Sequence, residues 1–232
     1  MILLNRVLSF LIPLIFLLAQ LLYLKYSTMV YSLVFIIFLL LIFYNLSLRH
    51  WQFSSKNLLT AGLGIINQTI FLVAVTVFSL FVPANWFYWV LTIILTLVFY
   101  LQLTYTFQNQ YQFLLKGYQW LKDWQFSYIF LLIYILQVLV YNFAIYFNWS
   151  TYWTSAVSAV VIIVILVLNS QFYKFTWLQL LFILYFGWQI TLVLDFWPMD
   201  VYARSLVALV NYYFILNLII YKKFFHYYYE AK

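Results

Sequence analysis

Asp195, Asp200 and Arg204 are the residues of this chain best placed to do chemistry. They stand together in the run Asp195-Phe196-Trp197-Pro198-Met199-Asp200-Val201-Tyr202-Ala203-Arg204. Two carboxylates beside one guanidinium could hold a cation or a headgroup. They could also serve as an acid–base pair in metal-assisted lipid chemistry. A plainer role competes with these. Asp200 stands where a helix N-cap belongs, just after Pro198, and Arg204 lies one helical turn further on, within reach of it. Asp195 would then simply mark an interface, and this capping role is the preferred expectation. Helical spacing extends the polar face from Arg204 to Asn211 on one element, and from Asp195 to Thr191 and Trp188 on the element before it. Those six residues form the candidate polar pocket. Arg204 is the most telling of them, because a cation set against an apolar run calls for a partner.

The elements that carry these residues follow from composition. The chain has 232 residues, of which 69% are hydrophobic and 6% charged, against about 25% charged in soluble domains. Runs of about 20 apolar residues suit helices that cross about 30 Å of hydrocarbon. Backbone groups in lipid must be satisfied internally, so spans are helices or closed barrels. Barrel strands alternate apolar and polar residues, and segments 31–44 and 157–168 do not. The expected fold is therefore all-α: a polytopic transmembrane bundle forming one integral membrane domain over residues 1–232. Eight spans are predicted, at about 7–24, 28–46, 59–82, 85–106, 126–147, 151–170, 175–194 and 201–221. The first does not read as a cleaved signal peptide, since no small-residue cleavage site follows it.

The basic residues set the expected sidedness. Arg6, Arg49, Lys56, Lys116, Lys122, Lys174, Lys222, Lys223 and Lys232 fall in alternate gaps on one side, and only Lys25 and Arg204 on the other. The positive-inside rule then places both termini in the cytoplasm, and the membrane is expected to be the cell's inner membrane. The net charge of +7 is spread along these gaps, so nucleic acid is not an expected partner. The segment 107–125 mixes aromatic and Leu residues with Lys116, Lys122 and Asp123, and is expected to lie along the inner interface as an amphipathic helix.

Short turns on the outer side, with Phe43-Tyr44, Phe99-Tyr100 and Tyr212-Tyr213 recurring late in three spans, suggest four stacked helical hairpins. Thr151, Ser155 and Ala159 step by four and make a small face for close helix approach. Gly62 and Gly64 loosen the start of the third span, and Pro13 is expected to kink the first. Amides at Asn67, Gln68, Gln102, Gln137, Asn142, Gln189, Asn211 and Asn217 are expected to hydrogen-bond between helices. Aromatics make up 25% of the chain. They occur in every span, which fits codon bias in an A/T-rich genome better than a dedicated ligand cavity.

Several chemistries are excluded or disfavoured. There is no Cys, hence no disulfide, thiolate metal site or Cys nucleophile. Only His50 and His226 are present, both beside basic residues, so no metal centre and no cofactor are expected. Mid-span carboxylates for a proton relay are missing, as are the motifs of zinc peptidases, P-loop proteins and serine hydrolases.

The stretch WQITLVLDFWPMDVYARSLVALVNYYFILNLIIYKK, with its Phe196-Trp197-Pro198 turn, resembles uncharacterised polytopic membrane proteins of small-genome candidate-phyla bacteria. The resemblance is clear over the final fifth of the chain. It implies a bacterial cytoplasmic membrane and carries no site or activity.

The expected role is a non-catalytic scaffold or an accessory subunit of a membrane complex, with the lipid bilayer and a membrane-protein partner or second copy around it. The alternative is a permease or binding protein for a lipid or other apolar small molecule, with its polar pocket at the outer ends of spans seven and eight. A lipid-modifying enzyme using Asp195 and Asp200 ranks lower, as does a respiratory-complex subunit from an A/T-rich organelle genome.

Overall fold

Apolar runs of this length leave the backbone one economical way to satisfy its own N–H and C=O groups, the α-helix. The computed structural model describes residues 2–25, 55–82, 86–110, 119–169 and 176–230. Among the described residues there are seven helices and no strand: α1 Ile2–Lys25, α2 Ser55–Phe81, α3 Trp86–Gln110, α4 Gln119–Tyr146, α5 Thr151–Leu168, α6 Trp177–Asp195 and α7 Val201–Glu230. The span expected at 28–46 lies outside the described residues. So do Arg49, Lys116 and Lys174, and the middle of the segment 107–125, whose ends belong to α3 and α4.

Among the described residues four helices are long and apolar enough to cross a membrane, over Trp86–Tyr105, Ser127–Tyr146, Thr151–Leu168 and Trp177–Asp195. Shorter apolar stretches occupy Phe10–Leu22 in α1 and Ile66–Phe81 in α2. The span in α4 is 61% buried and that in α6 only 22%. α4 is therefore an enclosed helix, and α6 shows most of its apolar surface outward.

The chain divides into two compact units, Met1–Tyr128 and Ile129–Lys232, with the division inside α4. In the first unit α3 packs against α1 and α2. Its core is built on rings. Phe16 meets Phe99 edge-on at 5.7 Å, Phe71 stacks on Phe99 at 5.9 Å, and Phe71 meets Tyr128 at 5.4 Å. Each such pair adds about 0.5–1.5 kcal/mol to the burial of its area. Tyr88 donates its hydroxyl to Gln20 at 2.8 Å. The amides of Gln102 and Gln125 bond to each other in both directions, at 2.6 and 3.4 Å.

The second unit is held by α5 against α6 and α6 against α7. Ser155, Ser158 and Ala159 are buried on α5, where small side chains let a neighbouring backbone come close. Gln137 of α4 reaches α5, accepting from the Ser158 hydroxyl and donating to the Ser158 carbonyl at 3.2 Å. Phe130 of α4 meets Tyr213 of α7 edge-on at 5.4 Å.

Seven amides inside the apolar helices divide by length, which corrects the expectation for Asn142, Asn211 and Asn217. Gln20, Gln102, Gln125 and Gln137 bond across helices. Asn142, Asn211 and Asn217 instead donate to carbonyls four residues back on their own helices, at 2.8, 2.8 and 3.0 Å. The shorter Asn side chain meets its own backbone first, whereas the extra methylene of Gln carries the amide clear of it.

The turn between α4 and α5 has its own logic. Asn148 adopts the left-handed conformation, φ 51°. Its N–H donates to the Ile145 carbonyl at 3.3 Å, and that of Trp149 to the Ala144 carbonyl at 2.9 Å, the bond pair of a Schellman motif. Ser150 then caps α5, accepting from the Trp153 N–H. Asn tolerates this backbone; a β-branched residue does not. Asn148→Val is expected to cost about 1–2 kcal/mol, and Asn148→Gly to be neutral or mildly stabilising. Thermal unfolding in detergent, followed by circular dichroism, reads both.

Candidate functional site

Two turns, 147–150 and 196–200, deliver the polar residues of the second unit to one place. The carboxylate of Asp195, the last residue of α6, is 5% exposed. It accepts from the Arg204 guanidinium at 3.3 Å through one oxygen and from the Ser155 hydroxyl at 3.3 Å through the other. Arg204 sits in the first turn of α7. Its second terminal nitrogen donates to the carbonyls of Trp197 at 3.2 Å and Met199 at 3.3 Å. Its guanidinium also lies 5.3 Å from the centre of the Tyr141 ring, a cation–π contact worth about 0.5–2 kcal/mol. One side chain thus ties α6, the turn after it and α4 to the start of α7.

Asp200 does something else. Its carboxylate accepts from the Ala203 N–H at 2.9 Å, the geometry of an N-cap on α7, worth about 1 kcal/mol. Arg204 therefore pairs with Asp195, nine residues away, and not with the carboxylate one turn before it.

Beside the ion pair lies a cavity of about 320 Å³, lined by Tyr141, Ala144, Ile145, Asn148, Trp149, Thr151, Thr154, Asp195 and Arg204. Of the six pocket residues expected from sequence, Asp195 and Arg204 line it. Asp200, Thr191, Trp188 and Asn211 do not. Thr191 is fully buried between α6 and α5, its single hydroxyl hydrogen shared between the carbonyls of Gly187 and Trp188 at 3.0 Å each, with the Ser155 carbonyl at 3.5 Å. Trp188 keeps its indole N–H buried without a partner among the described residues. Asn211 bonds back to Val207.

The small face of α5 has two uses. Ala159 and Ser155 are buried as packing residues, while Ser155 also donates to Asp195. Thr151 lines the cavity, and its carbonyl, 2.7 Å from the Ser155 hydroxyl, shares that single hydrogen with the Asp195 carboxylate at 3.3 Å. Gly62 and Gly64 fall within α2, in a stretch whose side-chain surroundings lie outside the described residues, and the same holds for Arg6, Lys56, Lys122, Lys222 and Lys223 in their helices.

Sequence reasoning missed the α4–α5 contribution: Tyr141, Asn148 and Thr154. The pairing of two turns distant along the chain leaves no trace in local spacing. The only available signal was the short Asn148-Trp149-Ser150 turn itself, whose length resembles that of the 196–200 turn. Gly187 was missed as well. A Cβ there would meet the Tyr212 ring at 2.7 Å from Cε1 and 2.9 Å from Cζ, and would crowd its hydroxyl still more closely. That glycine is what lets α7 come so near to α6.

Trp149 lines the cavity, and the turns and helix ends that supply its walls also expose Tyr146, Phe147, Tyr152, Trp153, Phe196 and Trp197. Large amphipathic rings gathered at one end of apolar helices are the usual mark of a membrane–water interface. Among the described residues no cluster of three or more His, Cys, Asp or Glu could hold a metal ion.

Fold and site together define an all-α protein with membrane-length helices and a polar, ion-paired corner at one end of its second unit. No family model, no curated protein and no solved structure matches the chain.

Proposed function

We propose that the chain is a multi-pass protein of the bacterial cytoplasmic membrane, with eight spans arranged as four helical hairpins and both termini in the cytoplasm. It acts as a non-catalytic scaffold or accessory subunit of a membrane complex. The observation that carries this reading is how the outer corner spends its charges. Asp195 and Arg204 are committed to each other and to Ser155, Trp197 and Met199, while Asp200 is committed to its helix cap. General acid–base chemistry needs a group free to give or take a proton, and these carboxylates are engaged in holding turns. The outward apolar surface of α6, with Leu178, Leu181, Phe182, Tyr185 and Phe186 exposed, supports lateral contact with lipid or a neighbouring membrane protein.

Native electrophoresis after mild solubilisation is expected to place the chain in an assembly with a second membrane protein in fixed ratio. A monomer that moves a solute across liposomes would overturn the scaffold reading. Sidedness is tested separately. Cysteines introduced by Gly117→Cys and Trp197→Cys are expected to label from opposite faces of the membrane, and labelling from the same face refutes the eight-span arrangement.

A second reading, binding of a lipid or other apolar small molecule at the outer ends of the last two helices, is favoured by the cavity beside Asp195 and Arg204.

A further inference from the structure

We propose that this cavity is a binding site for a small zwitterion carrying a phosphate ester and an ammonium group, the chemistry of a phosphoethanolamine headgroup. The proposal deepens the second reading above and rests on it.

Size comes first. About 320 Å³ is at the lower end of ligand pockets, roughly 300–1,000 Å³. It suits a headgroup and leaves no room for acyl chains. Charge comes next. The wall carries one carboxylate and one guanidinium, Asp195 and Arg204. A simple anion would be drawn to Arg204 and repelled by Asp195, and a simple cation the reverse. A ligand bearing both charges meets each with its opposite, which selects it over singly charged competitors.

Unspent hydrogen-bonding capacity then fixes the polarity of each end. The Tyr141 hydroxyl and the Arg204 Nε are buried with no partner among the described residues, and Tyr141 is only 1% exposed. Buried donors are nearly always matched by acceptors. A phosphate offers several, and Arg is suited to bind it through two nitrogens at once. Neither donor is open to water, so binding requires the guanidinium, whose side chain is 19% exposed, to turn and admit a phosphate oxygen to them. Asp195 accepts one hydrogen bond at each oxygen, whereas an ionised carboxylate has about four acceptor positions. That leaves capacity for an ammonium. Thr151 and Asn148 complete the polar lining. Exposed aromatics on the same turns and helix ends, Trp149 and Trp153 among them, are the residues expected at the depth where lipid headgroups lie.

The test uses the full chain in nanodiscs containing phosphatidylethanolamine, phosphatidylcholine and phosphatidylglycerol in equal parts, with retained lipid counted by native mass spectrometry. Phosphatidylethanolamine is expected to be retained over phosphatidylglycerol by roughly ten-fold, the weight of one well-placed charge-assisted hydrogen bond. Tyr141→Phe keeps the ring over Arg204 and removes only an unpartnered hydroxyl. It is expected to fold with an unchanged melting temperature and to lower retention by roughly two- to ten-fold. Free O-phosphoethanolamine, titrated calorimetrically into the detergent-purified protein, separates the sources. Heat of binding that Tyr141→Phe weakens identifies a soluble zwitterion as ligand. Retention of the lipid without such heat identifies the bilayer as the source. Equal retention of phosphatidylethanolamine and phosphatidylglycerol, retention unaffected by Tyr141→Phe, or binding of neither probe overturns the proposal. The sidedness labelling above reports failure of the membrane arrangement independently of any lipid measurement.

Discussion

Arg204→Gln is expected to destabilise the second unit by about 3 kcal/mol, the lower end of the range for breaking a buried ion pair by removing one partner. The lower end applies because the Arg204 side chain retains 19% exposure, whereas Asp195 has 5%. The variant leaves the Asp195 carboxylate enclosed with Ser155 as its remaining side-chain donor. It also strips the donor from the carbonyls of Trp197 and Met199. Arg204→Lys is expected to rescue little, since one ammonium cannot serve a carboxylate and two carbonyls in the geometry of a planar fork. The double variant Asp195→Asn with Arg204→Gln is expected to recover part of the loss, because no uncompensated charge remains. A coupling of about 1–3 kcal/mol between the two positions is the expected size for groups in one network. Reversible unfolding in mixed micelles measures all three, together with the single Asp195→Asn that closes the cycle. Additive single losses would show that the 3.3 Å contact contributes nothing to stability.

Gly187→Ala is the second large effect. On helix propensity alone the change should stabilise α6 by about 1 kcal/mol. Packing reverses the sign. The new Cβ would lie 2.7 Å from Cε1 of Tyr212, and Tyr212 is fully buried, where close packing resists displacement of a ring. Overpacking of this kind costs about 1–3 kcal/mol, and contact with several atoms of one rigid ring puts Gly187→Ala in the upper half of that range. A net loss of about 1–2 kcal/mol is expected. Tyr212→Leu in the same chain is expected to relieve the clash, so that Gly187→Ala costs less there than in the parent. A stabilising Gly187→Ala in the parent chain would mean that α6 and α7 do not approach at this point.

Much of this architecture was legible in advance, for a physical reason. Long apolar runs without alternation favour helices, and each of the seven described helices overlaps an expected span, while four of them are long and apolar enough to cross a membrane. Asp200 as a cap was legible too, because an N-cap is a local event between a side chain and a backbone N–H three residues on. Arg204 could be seen to need a partner; which partner could not be seen. Asp200 was nearer along the helix, but its carboxylate faces its own backbone, and that leaves Asp195 across the turn. The expected spread of the pocket to Thr191, Trp188 and Asn211 followed helical spacing faithfully and still missed. Spacing shows which residues share a face, and it is silent on whether that face meets a cavity or another helix.

The glycines make the same point. Gly62 and Gly64 stood out as a pair, and their surroundings lie outside the described residues; Gly187, which did not stand out, is a position where close helix approach leaves no room for a Cβ. Its signal lies in the size of Tyr212, 25 residues on in a different helix. Likewise the aromatics read as compositional background, yet Phe16, Phe71, Phe99 and Tyr128 build the ring cluster at the core of the first unit.

The sequence by itself determined that the backbone would be helical and that charge would lie towards the ends of the apolar runs, four of which are described helices long enough to cross a membrane. These are consequences of local composition and of the cost of unsatisfied polar groups in an apolar medium. Only the tertiary structure decided that Asp195 and Arg204 would pair, that Tyr141, Asn148 and Thr154 would join them around a cavity, and that Gly187 would seat Tyr212. Each of these depends on which helix faces which, and that is settled by side-chain packing between segments far apart in the chain.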